Sequence, residues 1–81
     1  MEIVYFAWLR ERVGRSREEA PEGAKTVNDL IEILKGRGEE YQTAFCDLSA
    51  IKVAVDQELT DFDASLEGAR EVAFFPPMTG G

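Results

Sequence analysis

The chain is 81 residues long, 44% hydrophobic and 31% charged, with a formal net charge of −7 at neutral pH; this suits one folded domain with a thin core, and leaves little room for a deep, enclosed active site. So acidic a balance disfavours nucleic acid and anionic membranes, which need clustered Lys and Arg, and suits either a basic protein partner or plain solubility. With no histidine and a single cysteine, a Ser-His or Cys-His nucleophile pair and a thiolate metal cage are excluded, and no GxGxxG or GxxxxGKS/T run offers a nucleotide loop.

Met1 to Arg10 has no basic residue ahead of its apolar run and no small-residue cleavage site, so it does not read as a signal peptide. Glu2 to Trp8 reads as the first strand, with Ile3, Tyr5 and Ala7 on one face and Val4, Phe6 and Trp8 on the other. Apolar residues on both faces suit an interior strand, or one whose second face is kept for a partner. Leu9 and Val13 are spaced i, i+4 ahead of Gly14, which predicts a helical turn closed by a glycine C-cap. Ser16 to Ala20 alternates charge, reads as an edge strand paired with the first, and stops at Pro21.

The clearest helix is Val27 to Lys35. Thr26 is its N-cap, Asp29 makes an approximate capping box, Gly36 stops it, and Val27, Leu30, Ile31 and Leu34 form one apolar stripe. Gly38 to Leu48 is either a loop or a weak second helix with Tyr41, Ala44 and Phe45 facing in. Cys46 beside them reads as a minor apolar filler rather than a reactive thiol, since no cation is near it in sequence. Ile51 to Val55 is a strand, Asp56-Gln57 a two-residue turn and Glu58 to Thr60 the return strand. Glu67-Gly68 marks a further turn before the last strand, Glu71 to Phe75, where Val72 and Phe74 alternate with Ala73 and Phe75. The acidic side chains, with no pocket to perturb them, read as a solvated face.

This order gives an α+β fold, one mixed sheet with a main helix packed across one face. A terminal strand after a hairpin is consistent with a β-grasp, in which the last strand lies beside the first in the middle of the sheet. No apolar stretch approaches the ~20 residues needed to span a bilayer, and a lone cysteine suits a reducing compartment. A cytoplasmic protein is expected.

Residues 1–75 are the predicted domain and 76–81 an extended tail, Pro76-Pro77-Met78-Thr79-Gly80-Gly81. Two prolines cannot donate to a sheet ladder, so pairing is expected to end and the chain to leave as a stiff segment. Gly80 and Gly81 then offer a backbone without side chains, able to pass a channel too narrow for a Cβ. The arrangement puts one free carboxylate, that of Gly81, on a thin probe. An ATP-using partner could adenylate it, and a persulfide could then replace the adenylate to leave a thiocarboxylate, a reactive yet protein-bound form of sulfur.

The ending Glu71-Val72-Ala73-Phe74-Phe75-Pro76-Pro77-Met78-Thr79-Gly80-Gly81 resembles that of the small, sulfur-carrier subunits of molybdopterin synthase. So does the opening, where Tyr5-Phe6-Ala7 precedes Leu9-Arg10-Glu11 and Val13-Gly14, and Ala54-Val55-Asp56-Gln57 resembles that family's hairpin. The resemblance spans the whole chain and implies a ubiquitin-like β-grasp. It implies that a separate ATP-dependent activating enzyme adenylates Gly81, and that a persulfide donor converts it to the C-terminal thiocarboxylate. The segment Phe75, Pro76, Pro77, Met78 and Thr79, with Gly80 as flexible neighbour, would insert into a large catalytic subunit, in a heterotetramer of two small and two large chains. There the sulfur would pass to precursor Z (cyclic pyranopterin monophosphate), making the dithiolene of molybdopterin in molybdenum cofactor biosynthesis. No cofactor or metal is expected on this chain, ATP being used by the activating enzyme, and no activity without the large subunit. The chain departs from the family before the last strand, where Gly68-Ala69-Arg70-Glu71 stands in place of a common Asp-Gly-Asp-Glu.

Other readings keep a Gly-Gly ending. A sulfur carrier for thiamine synthesis and a ubiquitin-like modifier joined to lysines share the fold, although neither is expected to carry Phe-Phe-Pro-Pro. An acidic interaction domain with incidental glycines is the alternative from another class.

Overall fold

Alternating apolar residues and well-placed caps divide the chain into short elements. The computed structural model describes residues 1–77. Strand β1 (Glu2–Tyr5) leads into helix α1 (Ala7–Val13), strand β2 (Arg17–Glu19) and helices α2 (Val27–Lys35) and α3 (Glu39–Ala44). A 3-10 turn at Leu48–Ala50 precedes the hairpin of β3 (Lys52–Val55) and β4 (Glu58–Thr60), and β5 (Glu71–Phe75) comes last. The strands form one sheet in the order β2-β1-β5-β3-β4. β5 is parallel to β1 and antiparallel to β3, so the last strand lies centrally beside the first, as in a β-grasp.

Register decides which face each side chain takes. Ile3 pairs with Val72, Tyr5 with Phe74, and Val53 with Phe74; all join Leu9, Leu30, Leu34 and Phe45 in the core on the helix side. Phe45 meets Phe74 edge-on with centroids 5.0 Å apart, and Tyr5 stacks on Phe74 at 6.2 Å, both favourable aromatic geometries. Helix α2 has the capping box expected of it. The Asp29 N–H donates to Thr26 Oγ1 at 3.2 Å and the Thr26 N–H donates to the Asp29 carboxylate at 3.1 Å, satisfying donors that the first helical turn leaves open.

The first strand is shorter than its apolar run. It ends at Tyr5, and Ala7 takes a φ of +54°, a left-handed conformation unusual for any residue with a Cβ. The kink allows α1 to bury Leu9 and Val13, so Trp8 belongs to α1 and not to the sheet. Gly14 closes α1 with φ +90° and donates its N–H to the Arg10 carbonyl at 2.9 Å. Residues 39–44 are helical, and Tyr41, Ala44 and Phe45 are buried. Cys46 is exposed, a correction to its reading as apolar filler. Phe45 takes the inward position, and the next residue turns away from the core. No described helix is long and apolar enough to cross a membrane.

The Asp56-Gln57 turn has both residues at positive φ, +50° and +70°, the conformation of a type I′ hairpin turn, where glycine fits best at the second position. Gln57→Gly is therefore expected to raise stability by about 1 kcal/mol, the strain of one left-handed residue. Chemical denaturation of the two proteins measures the difference; an unchanged or lower midpoint would show that the turn tolerates the glutamine without strain.

Glu18 does not behave as a solvated charge. β2 pairs Glu18 with Ile3, which turns the carboxylate toward the helices, and its side chain is only 7% exposed. One oxygen accepts the Tyr5 and Tyr41 hydroxyls at 2.7 and 2.8 Å. The other accepts Arg15 and Arg37 at 3.3 and 3.0 Å. A charge aimed inward from an edge strand also discourages further strand pairing there.

Candidate functional site

The predicted tail begins where the most enclosed strand ends. β5 has a ladder partner on each side, which fixes the direction of the chain as far as Phe75. Lys52 of β3 stands opposite Phe75, and the Phe6 N–H donates to the Phe74 carbonyl at 3.1 Å. Pro76 and Pro77 follow outside the strand, both partly exposed, and neither has an N–H to prolong the ladder. The structure thus brings Phe75, Pro76 and Pro77 together at the end of the central strand. The other predicted site residues, Met78, Thr79, Gly80 and Gly81, lie outside the described residues.

The helices cover one face of the sheet only. On the other face Val4, Ala73, Ala54 and Leu59 form a row across β1, β5, β3 and β4. Val4 and Ala73 are buried, whereas Leu59 is 70% exposed, Phe6 is 49% exposed and Phe75 is partly exposed. The apolar second face expected from the sequence is therefore open at Phe6 and Phe75, closed at Val4, and does not include Trp8. Leu59 is its most exposed large member, and the sequence reading missed it. The signal was available in the hairpin register: a two-residue turn at Asp56-Gln57 sets Glu58 opposite Val55 and Thr60 opposite the core residue Val53, which leaves Leu59 opposite Ala54 on the other face. Exposed apolar side chains gathered on one face usually mark an interface.

Charge frames this face. From Asp56 to Glu71 the chain carries Asp56, Glu58, Asp61, Asp63, Glu67 and Glu71 against Arg70 alone, so the hairpin side suits a basic partner surface. Asp56 has a structural duty as well. Its Oδ1 accepts the Arg70 and Glu71 N–H groups at 2.8 and 3.0 Å, and its own N–H donates to the Glu71 carbonyl at 2.9 Å. The turn that departs from the family's usual residues is thus tied to the hairpin by Asp56, and β5 starts from a braced position. A central strand thus ends beside a partly open apolar face, and among the described residues no cluster of His, Cys, Asp and Glu is placed to hold a metal ion.

Residues 3–81 match the ThiS family. The molybdopterin synthase sulfur carrier subunit of Escherichia coli (strain K12) is 36% identical over 81 residues, covering 100% of this chain and 99% of that protein. The subunit of the same name from Haemophilus influenzae is 28% identical over 81 residues, with the same coverage. Among solved structures, SAMP1 from Haloferax volcanii superposes with a TM-score of 0.76 at 26% identity, covering 100% of this chain and 98% of that one. A Pyrococcus furiosus protein provisionally called molybdopterin converting factor, subunit 1 superposes with a TM-score of 0.68 at 31% identity, covering 95% of each chain.

Proposed function

The chain belongs to the ThiS family, and we propose that within it this protein is the sulfur-carrier subunit of a molybdopterin synthase, with Gly81 as its working residue. The observation that carries this reading is the match to sulfur carrier subunits over all 81 residues, including the Gly-Gly ending. The described fold supports it: a central strand ends at Phe75-Pro76-Pro77 beside an uncovered apolar face.

The reaction asks little of the domain beyond presentation. A Gly81 carboxylate oxygen attacks the α-phosphorus of ATP on the activating enzyme, pyrophosphate leaves, and the acyl carbon becomes electrophilic. The outer sulfur of a persulfide then attacks that carbon and displaces AMP, forming a C–S bond. A thiol attacks the donor's inner sulfur, breaking the persulfide's S–S bond, which releases the thiocarboxylate and leaves a disulfide with the donor. The face carrying Phe6, Leu59 and Phe75 docks on the large catalytic subunit, in an assembly of two small and two large chains. Phe75 to Thr79 enter its site, Gly80 gives clearance, and the sulfur passes to precursor Z. This chain binds no cofactor of its own.

A second reading has one observation behind it. The Haloferax volcanii neighbour is a small archaeal modifier protein, and an adenylated Gly81 would acylate a lysine amine as readily as a persulfide. The intact mass of the chain after incubation with the activating enzyme, ATP and a persulfide donor separates the two. Replacement of one oxygen by sulfur, localised to the C-terminal peptide, is expected. An unchanged mass, with the chain recovered instead in amide linkage to other proteins, would favour the modifier.

A further inference from the structure

The two edges of the sheet are not alike. At β2 the Glu18 carboxylate points inward, which discourages a further strand. At β4, the other edge, the main chain is open at one residue. The Asp56 N–H donates to the Glu71 carbonyl. By the alternation of an antiparallel ladder, the peptide groups of Ala54 then face β5, and those of Val53 and Val55 face β4. Glu58 and Thr60 therefore take the ladder bonds of β4, and the Leu59 N–H and carbonyl point away from the sheet. Among the described residues neither has a partner, although both are strong hydrogen-bonding groups.

The side chains around this open pair define what fits it. Leu59 is largely exposed and ends the row of Val4, Ala73 and Ala54 on the uncovered face. A strand added beside β4 would set one residue next to Leu59 on that face, where an apolar side chain extends the row. Its neighbours would fall beside Glu58 and near Asp61, both exposed. Acid is concentrated in this half of the chain. Residues 38–81 hold nine acidic and two basic side chains, the whole net charge of −7, whereas residues 1–37 hold seven of each. A second copy of this chain would bring acidic edge against acidic edge, which repels, while a basic strand is matched.

We propose that the large catalytic subunit adds a strand at β4: an extended segment, apolar beside Leu59 and basic beside Glu58, bonds main chain to main chain with the Leu59 N–H and carbonyl. The proposal rests on the carrier reading above and gives its docking a register. Apolar contact is non-directional, so two apolar faces alone can slide past one another. Paired peptide groups fix the position along the strand, and alternate side chains then select the sequence that fits. β5 lies two strands in from this edge, so fixing β4 against the partner also fixes the strand from which the tail departs.

The test uses the full chain with the large subunit. Hydrogen exchange at the Leu59 N–H is expected to be fast in the free chain and about tenfold or more slower in the complex. An amide-to-ester replacement at residue 59 (leucic acid for leucine) removes that donor and keeps the side chain. It is expected to raise the Kd about tenfold, with the unfolding midpoint of the free chain close to that of wild type. Glu58→Lys, at an exposed position, should weaken binding by a similar factor and reduce its salt dependence. Leu59 exchanging as fast in the complex as in the free chain, or a Kd unchanged by the ester or by Glu58→Lys, overturns the proposal. So does an ester whose free chain melts well below wild type, because the Leu59 N–H would then already be bonded within the domain. Sulfur loading of the wild-type chain keeps the two ideas apart. A chain that loads and transfers sulfur but fails these tests loses only the added strand, whereas one that never loads loses the carrier reading and the strand with it.

Discussion

Removing Gly81, or adding one residue after it, is expected to abolish sulfur transfer while leaving the unfolding midpoint almost unchanged. The reacting acyl carbon has to lie about 3–3.5 Å from the attacking atom, and one residue of extended chain moves it by about 3.3–3.6 Å. The displacement equals the reacting distance, so intermediate activity is not expected. Stability should hold because, among the described residues, the core cluster runs from Ile3 to Phe74 and closes before the tail, and substitutions outside a core usually stay within about 0.5 kcal/mol. The measurement is a single-turnover assay of sulfur transfer from loaded chain, beside a thermal melt of the same variants. A chain lacking Gly81 that transfers sulfur at the normal rate would place the chemistry elsewhere. Loss of transfer with collapse of the fold would show instead that the end of the chain is structural.

Much of this molecule is written in local signals, and those are the parts legible from sequence. Thr26 and Asp29 announce the start of α2 because a capping box is satisfied within four residues. Asp56-Gln57 announces the hairpin, and Val72 and Phe74 announce a strand buried on the helix side. The central place of β5 agrees with the expected β-grasp order, in which a terminal strand follows a hairpin. What sequence hides is non-local. Glu2 to Trp8 alternates like one strand, yet the chain kinks at Ala7 so that Leu9 and Val13 reach the core. The tertiary demand of α1 overrides the local period, and Trp8 leaves the sheet. Cys46 is another case: Phe45 faces in, and only the end of α3 decides which way its successor points. Arg12 is remote from Cys46 in sequence, and only the approach of α1 to α3 brings both to one groove.

Glu18 is the least legible residue and the one whose loss should be felt most in stability. In Arg17-Glu18-Glu19 it looks like one exposed charge among others, but edge pairing with Ile3 aims it inward. Glu18→Ala is expected to lower folding stability by about 2–4 kcal/mol. Removing the acceptor leaves the buried Tyr5 hydroxyl without its partner, a penalty of ~1–3 kcal/mol, and ends charge-assisted bonds that are individually stronger than neutral ones. Arg15 and Arg37 are 56% and 38% exposed, so they regain water and add less than a fully buried pair would. Against the ~4–12 kcal/mol expected of a domain this size, that is a large fraction. Glu18→Gln keeps the shape and one acceptor, and should fall between the two.

Alkali tests the same cluster from the other side. Burial, then the hydrogen bond to Glu18 and its negative charge, push both the Tyr5 and the Tyr41 hydroxyls above the ordinary tyrosine value, with Arg37 partly opposing. The unfolded chain loses these protons near pH 10 while the folded chain still holds them. Their contribution is therefore whole below pH 10 and is lost as the pH rises above it. Wild type should lose stability steeply above about pH 10, and Tyr5→Phe should lose it less steeply, having one fewer such proton. Equal slopes for the two proteins, or an unfolding midpoint for Glu18→Ala that matches wild type at neutral pH, would mean that the four hydrogen bonds on Glu18 do not hold β2 to the helices.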